Sequence, residues 1–447
     1  MINTLPFQGK KAAFFTLGCK LNFSETATFA KALQEMGVVE VEKGEKADLC
    51  LINTCSVTDV ADHKCRQAIH RLVRNHPGAF VVVTGCYAQL SPRRVADMEG
   101  VDLVLGSNEK ARLIEFLFDA WGEKEGSQTL HRSHTEKTKD IREFAKSCSK
   151  GNRTRFFLKV QDGCDYFCTY CTIPYARGRS RSDTIESLVG QARQAANEGG
   201  KEIVITGVNI GDFGKNTGES FVDLVKELDR VEGIERYRIS SLEPDLISDE
   251  LIEWCANSRA FMPHFHIPLQ SGADEMLRAM HRRYDISLFA EKVCNIKRLM
   301  PDAFIGIDVI VGMRGETSQL FQQTYHFLEE LDFSQLHVFP YSERPGTAAL
   351  RIPLVVEEVE KKERVARLIE LSERKRQMFY TKNIGRSMDV LFEKTKSGKA
   401  MHGFTPNYIR VELPPEMADP LLDNKIVNVT LGDFNMDKTA LMANINY

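Results

Sequence analysis

Three cysteines within eight residues place the strongest constraint on this chain. They are Cys164, Cys168 and Cys171, in the pattern C-x3-C-x2-C, and are called the loop triad below. So tight a group of thiols is more typical of a metal site than of chance. The chain has 11 cysteines, an odd number, and its first residues lack the charged-then-apolar order of a signal peptide. We therefore expect a cytoplasmic protein in which clustered cysteines are metal ligands rather than disulfide partners.

The composition is that of a large globular protein. Of 447 residues, 43% are hydrophobic and 27% are charged, which is too apolar for a disordered chain. A prior of about 150 residues per domain suggests roughly three domains. The net charge of −3 predicts no overall attraction to nucleic acid, so such a partner would need a local basic patch. No apolar run approaches the ~20 residues of a membrane span, so we expect no membrane association.

Hydrophobic patterning divides the chain into three blocks. Residues 9–121 alternate apolar runs with helical patterns, which predicts an open parallel α/β sheet with helices on both faces. Residues 122–152 are polar and are predicted to be a linker. Residues 153–382 contain six strand candidates and end in an amphipathic helix over 356–382, which predicts a partial (β/α)6 barrel. Residues 383–447 contain short strands separated by Gly, Pro and Asn, as in a small all-β, OB-like domain.

A second set of three cysteines is spread through the first block. Cys19, Cys55 and Cys86, the dispersed triad, each follow the carboxyl end of a predicted parallel strand. Such ends converge on the ligand-binding crevice of an open α/β sheet. Gly18 and Gly85 precede two of these cysteines and permit close backbone approach. We predict that the three thiolates meet at one metal centre; the alternative is three buried structural cysteines.

The loop triad follows the first predicted barrel strand, where βα barrels build their active sites. Soft thiolates suit zinc or iron–sulfur clusters. On a four-iron cube, three cysteine ligands leave one iron open, and an open coordination position is typical of a catalytic metal site. Zinc remains the alternative, although no fourth Cys or His stands nearby at zinc-finger spacing.

Taken together, these features resemble the radical S-adenosylmethionine (SAM) methylthiotransferases. The domain order of that family is an N-terminal methylthiotransferase domain, a radical SAM domain and a C-terminal TRAM domain. The resemblance implies two 4Fe-4S clusters, one on each triad, and no catalytic residue beyond the clusters. The cluster on the loop triad would bind SAM and cleave it reductively, and the auxiliary cluster on the dispersed triad would carry the sulfur to be inserted.

The resemblance also implies a set of SAM contacts at the ends of the predicted barrel strands. These residues are Tyr170, Gly207, Asn209, Ser241, Glu243 and Gln270. Tyr170 matches the aromatic position that commonly contacts the adenine, with a packed core aromatic as the alternative. Gly207 and Asn209 match the segment that receives the methionine amine. Asp308 lies within the apolar fifth strand, where an unpaired carboxylate is costly, so we expect it to have an unidentified partner in the barrel mouth.

Three arginines at alternate positions follow the loop triad directly. Arg177, Arg179 and Arg181 suit phosphate or carboxylate recognition, so we predict that they bind RNA from the rim of the barrel mouth. Ordinary solvated charge is the alternative. In the last block, Phe404 and Tyr408 are candidates for stacking on RNA, with core packing as the other interpretation.

Local sequences resemble the branch of the family that acts on threonylcarbamoyladenosine. The segment TLGCKLN at 16–22 has Lys20, where the isopentenyladenosine branch usually has Gln and the ribosomal-protein branch has Pro. The segments at 161–178 and 206–214 also resemble this branch. One departure is Met313-Arg314, where the family more often has Phe-Pro.

The resemblance therefore implies methylthiolation of carbon 2 of threonylcarbamoyladenosine at tRNA position 37. The expected partners are the tRNA anticodon stem-loop and an unidentified electron donor, and the expected state is a monomer. The alternative targets are isopentenyladenosine in tRNA and an aspartate of a ribosomal protein. A different class of protein, a non-enzymatic RNA-binding or electron-transfer iron–sulfur protein, would favour four protein ligands per cluster.

Overall fold

Three structural units follow one another along the chain: a parallel sheet, an open barrel and a closed barrel. The computed structural model describes residues 5–42, 44–124, 129–141, 143–151, 153–396 and 398–446. Within these ranges, no helix combines the length and the apolarity that crossing a membrane requires. The units together confirm the predicted mixed α/β fold with a small C-terminal all-β domain.

The N-terminal unit is a six-stranded parallel sheet in the order β2-β1-β3-β4-β5-β6. Its strands are β1 (Lys11–Thr16), β2 (Val39–Glu40), β3 (Leu49–Thr54), β4 (Phe80–Gly85), β5 (Leu103–Leu105) and β6 (Arg132–His134). Its helices are α1 (Lys20–Glu35), α2 (Asp59–Asn75), α3 (Cys86–Leu90), α4 (Pro92–Ala96) and α5 (Leu113–Trp121). Separate apolar clusters cover the two faces, so the central strands β3 and β4 are buried along their whole length. This double burial explains why those strands are continuous apolar runs rather than alternating ones.

The segment 122–152, predicted to be a linker, contains two short strands. β6 pairs in parallel with β5 and so extends the N-terminal sheet beyond residue 121. Further on, β7 (Cys148–Ser149) pairs antiparallel with the first barrel strand. Residues 125–128, 142 and 152 of this segment lie outside the described residues. Strands this short and polar have no apolar run by which the sequence could reveal them.

The central unit is an open barrel of six parallel strands with helices around them, as predicted. The barrel strands are β8 (Phe156–Lys159), β11 (Glu202–Thr206), β12 (Arg236–Ile239), β13 (His264–Gln270), β14 (Phe304–Val311) and β15 (Gln335–Pro340); a short antiparallel pair, β9 (Gln161–Asp162) and β10 (Arg181–Ser182), lies beside them. Isolated bridges at Tyr237–Phe261 and Ser241–His266 join the β8-β11-β12 half to the β13-β14-β15 half. The helices are α6 (Ile173–Arg177), α7 (Ile185–Asn197), α8 (Phe221–Asp229), α9 (Asp249–Asn257), α10 (Asp274–Ala279), α11 (Ile286–Leu299), α12 (Ser318–Glu330) and α13 (Glu358–Thr381).

The C-terminal unit is a closed five-stranded barrel in the order β16-β17-β18-β20-β19. Its strands are β16 (Ser387–Phe392), β17 (Met401–Phe404), β18 (Arg410–Leu413), β19 (Ile426–Phe434) and β20 (Leu441–Ile445). The rings of Phe404 and Tyr408 stack with centroids 4.7 Å apart, and the Tyr408 ring lies 4.3 Å from that of His264, at the start of β13. These aromatics therefore pack where the two barrels meet, which favours core packing over stacking on RNA.

A buried network of charges joins the N-terminal sheet to the open barrel. Its centre is Glu25 on α1, which accepts from Lys110 of its own unit at 2.5 Å. The same carboxylate accepts from Lys159 and Arg177 of the barrel, each at 3.0 Å. Burial alone opposes ionisation, but these three cations hold the pKa of Glu25 well below its usual range. The network is thus ionised although water does not reach it.

A second carboxylate completes the network on the barrel side. Asp162 accepts from Lys159 at 2.7 Å, from Arg177 at 2.9 Å and from Arg181 at 3.1 Å. All of these side chains are buried. Removing one partner from such a network leaves the remaining charges without compensation, which costs far more than losing an exposed pair.

We expect Glu25→Ala to lower the free energy of unfolding by about 3–5 kcal/mol, because three buried cations lose their shared partner. The matched control is Glu45→Ala, which removes an exposed pair with Lys11 and should change the free energy of unfolding much less, because solvent screens that pair. Urea titration of both variants measures the difference. Equal losses of stability in the two variants would contradict a structural role for the network.

Candidate active site

The carboxyl ends of three adjacent strands assemble the dispersed triad. Cys19 directly precedes α1, Cys55 follows β3, and Cys86 begins α3 after β4. Gly18 has a φ of +103°, and a Cβ there would lie 2.9 Å from the Cys55 sulfur. Gly85 has a φ of +102°, and a Cβ there would lie 2.3 Å from the carbonyl oxygen of Thr54. Both positions require glycine for this close approach.

The other two members of the dispersed triad lie close enough to Cys55 to affect the pKa of its thiol. Burial, together with the neighbouring Cys86 and Cys19, raises the pKa of Cys55 to about 12. The predicted convergence of the three cysteines is thus present in the structure. A thiol with so high a pKa stays protonated at neutral pH unless a metal centre replaces the proton.

The loop triad lies at the mouth of the open barrel, and each of its sulfurs accepts a hydrogen bond. The guanidinium of Arg282 donates to the Cys168 sulfur at 3.0 Å. The backbone N–H groups of Tyr166 and Ile173 donate to the other two sulfurs at 3.5 and 3.4 Å. Burial raises the pKa of those two thiols to about 12. Donors aimed at sulfur stabilise negative charge there and tune iron–sulfur centres.

Sulfur spacing separates a single ion from a cluster. Around one tetrahedral zinc, with Zn–S near 2.3 Å, the sulfurs lie roughly 3.8 Å apart. Across the described residues, the one group of three ligand atoms within 4.8 Å of one another is His266, Asp308 and His337. Neither cysteine triad is therefore closed around a single ion. The wider spacing suits a multi-iron cluster, which thiolates hold.

The buried network also provides positive charge beside the dispersed triad. It holds four cations and two carboxylates, an excess of two positive charges. Arg177 and Lys110 lie within electrostatic reach of Cys86. The Asn22 side-chain oxygen accepts from Arg177 at 2.6 Å and lies 3.9 Å from the Cys19 sulfur. An uncompensated excess of buried charge is costly, and thiolates or an anionic cluster at this position would neutralise it.

The structure corrects the position predicted for two of the three arginines. Arg177 and Arg181 are 2% and 6% exposed and belong to the buried network, not to the rim of the barrel mouth. A buried guanidinium already bonded to carboxylates cannot reach an RNA phosphate, so the predicted RNA contact is wrong for both. Arg179 alone is exposed; it lies 3.3 Å from Asp165 and 4.8 Å above the Phe167 ring.

The two triads open toward one another where the N-terminal sheet meets the barrel mouth. Thr172, next to Cys171, donates its hydroxyl to the carbonyl of Ser56, next to Cys55, at 3.3 Å. Arg344 donates to the Ser56 hydroxyl at 2.8 Å and to a carboxylate on α2 at 2.7 Å. These contacts hold one member of each triad near the same interface.

A cavity of about 250 Å³ lies at this interface. Tyr170, Cys171, Gln270 and Asp308 of the barrel line it, together with Val57 of the N-terminal unit. Two of the predicted SAM contacts, Tyr170 and Gln270, are therefore brought together here. Tyr170 also packs against an apolar cluster, so both interpretations of this residue describe part of its surroundings.

Three further predicted contacts stand at the ends of β11 and β12. Asn209 is 2% exposed, and within the described part of the chain neither polar atom of its side chain has a partner. A buried amide left unpaired costs about 1–3 kcal/mol, so the site lacks a polar ligand. The adjacent Gly207 lies against Gln161, whose carbonyl oxygen would be 2.9 Å from a Cβ there. Glu243 pairs with Arg282, and burial raises its pKa to about 7.

Asp308 has the partner that the sequence left unidentified. Its carboxylate lies 2.7 Å from Nε2 of His266, and the hydroxyl of Ser241 lies 3.3 Å from Nδ1 of the same ring. The His337 ring is centred 5.0 Å from that of His266. The available signal was positional, because β13, β14 and β15 each carry one of these polar side chains within an apolar strand.

Arg282 and Arg314 make contacts that the sequence did not predict. Arg282, with no motif of its own, contacts both Cys168 and Glu243. The Met313-Arg314 departure is accommodated because Met313 is fully buried in the cluster that packs on Tyr170. Arg314 donates to a carboxylate and to backbone carbonyls of the loop after β15, so it fastens that loop.

The fold and the site define a class of enzyme: an open βα barrel with a three-cysteine loop at its mouth, facing a second three-cysteine site. Residues 158–328 match the family model described as Radical SAM superfamily. Residues 11–106 match the one described as Uncharacterized protein family UPF0004.

Relatives are similar over most of the chain. The threonylcarbamoyladenosine tRNA methylthiotransferase MtaB of Bacillus subtilis (strain 168) is 39% identical over 408 residues, covering 89% of each chain. Its namesake in Aquifex aeolicus (strain VF5) is 40% identical over 381 residues, 85% of this chain and 92% of that one. The tRNA-2-methylthio-N(6)-dimethylallyladenosine synthase of Protochlamydia amoebophila (strain UWE25) is 32% identical over 397 residues, 86% of each. The chain therefore belongs to the radical SAM tRNA methylthiotransferase family, which confirms the resemblance.

A solved structure shares the fold. The radical S-adenosylmethionine methyltransferase TsrM of Kitasatospora setae matches with a TM-score of 0.55 at 14% identity, covering 76% of this chain and 77% of that one. At this identity the match concerns the architecture alone.

Proposed function

We propose that this protein transfers a methylthio group to carbon 2 of threonylcarbamoyladenosine at tRNA position 37. The observation that carries the proposal is the pair of cysteine triads on either side of one interface, at the mouth of an open barrel. Relatives named for threonylcarbamoyladenosine are 34% to 40% identical, and relatives named for dimethylallyladenosine are 30% to 32% identical. The chemistry of the barrel interior supports the same choice.

One wall of the barrel interior carries polar side chains. Ser241, His266, Asp308 and His337 form a connected polar group there, and Asp308 lines the cavity. A threonylcarbamoyl group offers urea N–H groups, a hydroxyl and a carboxylate to such a wall. A dimethylallyl group is a hydrocarbon and offers these side chains no hydrogen bond, so they favour the polar modification.

Each triad would hold a 4Fe-4S cluster, and the cluster at the barrel mouth would bind SAM. When bound, these groups supply the reductive cleavage of SAM and the sulfur that is transferred. The chain's own residues bind and orient: Arg282 donates to the Cys168 sulfur, and the unpaired amide of Asn209 suits the polar end of SAM. Tyr170 would line the side of the cavity that receives the adenine, and Arg282 would hold Glu243 in place.

An exposed platform beside the loop triad suits the anticodon loop. Phe167 and Tyr175 are 39% and 51% exposed, with ring centroids 6.3 Å apart, and Arg179 covers Phe167. Exposed aromatics stack on unpaired bases, and a guanidinium beside them contacts phosphate or stacks in turn. A base must leave its stack before its carbon 2 can react, so a platform at the mouth supports the proposed substrate.

The remaining partners follow from the reaction. Reductive cleavage of SAM requires an electron donor, which we expect to be a separate protein. We also propose that the enzyme works as a cytoplasmic monomer on the anticodon stem-loop.

The direct test is mass spectrometry of tRNA nucleosides from a deletion strain and from the same strain complemented with the gene. The 2-methylthio derivative of threonylcarbamoyladenosine should disappear on deletion and return on complementation. If that nucleoside persists while the 2-methylthio derivative of isopentenyladenosine disappears, the proposed substrate is wrong.

We expect Gly18→Ala to remove the cluster of the dispersed triad, because the new methyl group would lie 2.9 Å from the Cys55 sulfur at a positive φ. Iron content should fall from about eight to about four per chain. SAM cleavage should continue while methylthiolated product is lost. Gly190→Ala is the control, since nothing lies within 4 Å of a Cβ there. If the iron content of Gly18→Ala stayed at the wild-type value, the close approach of Gly18 to Cys55 would not be needed for cluster binding.

Arg179→Gln should weaken tRNA binding without affecting SAM cleavage in the absence of tRNA. Loss of one phosphate contact on single-stranded RNA should flatten the salt dependence of binding by about 0.7 in log–log slope. Titrations of tRNA across salt concentrations measure this change. Arg193→Gln, an exposed arginine on α7, is the control and should keep the wild-type slope. An unchanged slope for Arg179→Gln would show that this arginine is merely solvated.

A further inference from the structure

One lysine carries an unbalanced charge in the interior of the open barrel. Lys20 begins α1 and directly follows Cys19 of the dispersed triad. Its side chain is open to solvent, and within the described ranges it makes no ion pair. A cation left unpaired next to a reaction centre is a candidate for contact with an anionic ligand.

The side chains around Lys20 place it between the cavity and the part of the barrel that packs against the C-terminal unit. The titratable and charged side chains within its electrostatic reach include Asp308, Tyr408, Arg155, Arg238, His264 and His337. Both arginines have carboxylate partners of their own. Asp308 is bonded to His266. Lys20 is thus the member of this group whose charge the fold does not already balance.

The same charges argue against a metal ion at His266, Asp308 and His337, although their ligand atoms lie close together. A divalent cation there would be repelled by the unbalanced charge of Lys20. An anion would be attracted, and the imidazole and carboxylate groups would remain free to hydrogen-bond to the rest of the ligand.

The proposed substrate places an anion within reach. In adenine, one ring nitrogen separates carbon 2, which reacts, from carbon 6, whose amino group carries the modification. The threonylcarbamoyl chain therefore begins next to the reacting carbon and ends in a carboxylate. With carbon 2 presented to the dispersed triad, this carboxylate would come within reach of the residue that follows Cys19.

We propose that the ammonium of Lys20 binds the carboxylate of the threonylcarbamoyl group and so selects this substrate over adenosines with an apolar side chain. The proposal rests on the proposed function. Lys20 is a specificity-determining residue in this account, because it contacts the modification and not the reacting atoms. Asp308 and His337 would accept from, or donate to, the urea and hydroxyl groups of the same side chain.

The test crosses two RNA probes with three protein variants, all with both clusters loaded. One probe is an anticodon stem-loop with threonylcarbamoyladenosine, and the other carries the neutral methyl ester of that nucleoside. Fluorescence anisotropy measures the affinities. Lys20→Gln should bind the carboxylate probe at least about tenfold more weakly and the ester probe within about twofold of wild type, since a hydrogen bond to a charged group is stronger than one between neutral groups. Lys20→Arg should restore most of the difference. Lys46→Gln, an exposed lysine before β3, should change neither affinity.

The outcomes separate this inference from the proposed function. If Lys20→Gln weakens the binding of both probes equally, or of neither probe, the proposed carboxylate contact is wrong. This holds whether the variant has lost its fold, has lost its cluster or is unchanged. Iron content measured on the same samples identifies which of these occurred. If wild-type enzyme methylthiolates an isopentenyladenosine stem-loop and not the threonylcarbamoyladenosine one, the proposed function itself is wrong.

Discussion

The ionic contact of Glu25 with Lys110, Lys159 and Arg177 is the interaction on which the rest of the structure depends. It ties α1 of the N-terminal sheet to the first strand and the cysteine loop of the barrel. Buried ion pairs contribute little net stability compared with apolar packing, but they tolerate very few alternative arrangements. Here they fix the relative position of two units whose cysteines must face one another.

The same network links structure to chemistry through its charge. Its two excess positive charges lie beside the dispersed triad, within reach of Cys86 and, through Asn22, of Cys19. A centre carrying negative charge is therefore favoured at this position, and the fold is better balanced with the centre than without it. Binding of the proposed auxiliary cluster and docking of the two units would therefore favour each other.

Sequence patterns predicted those parts of the protein that local information specifies. The two triads, the six barrel strands and the closed C-terminal barrel all follow from spacing and hydrophobic runs. β6 was missed because it is short and polar, and its strand character comes from pairing with β5. Arg177 and Arg181 were misplaced because a solvated charge and a buried one look identical in sequence. Arg177 meets Glu25 of α1, which lies 152 positions away, and both arginines meet Asp162, a contact that no sequence pattern marks.

The partner of Asp308 shows the same limit. Burial made a partner necessary, and the sequence could say no more, since His266 lies 42 positions away on a neighbouring strand. The register of β13 against β14 brings the two together. Substrate preference depends on such long-range contacts, and so the polar wall of the barrel could be recognised only once the strands were placed side by side.

The central claim is that the two cysteine triads face one another across a single interface. Electron paramagnetic resonance of the reduced, fully loaded enzyme tests it most directly. Two clusters held at this interface should couple magnetically, so the spectrum should differ from the sum of the spectra of two variants that each lack one triad. A wild-type spectrum equal to that sum would place the clusters too far apart to act on one base and would contradict the account.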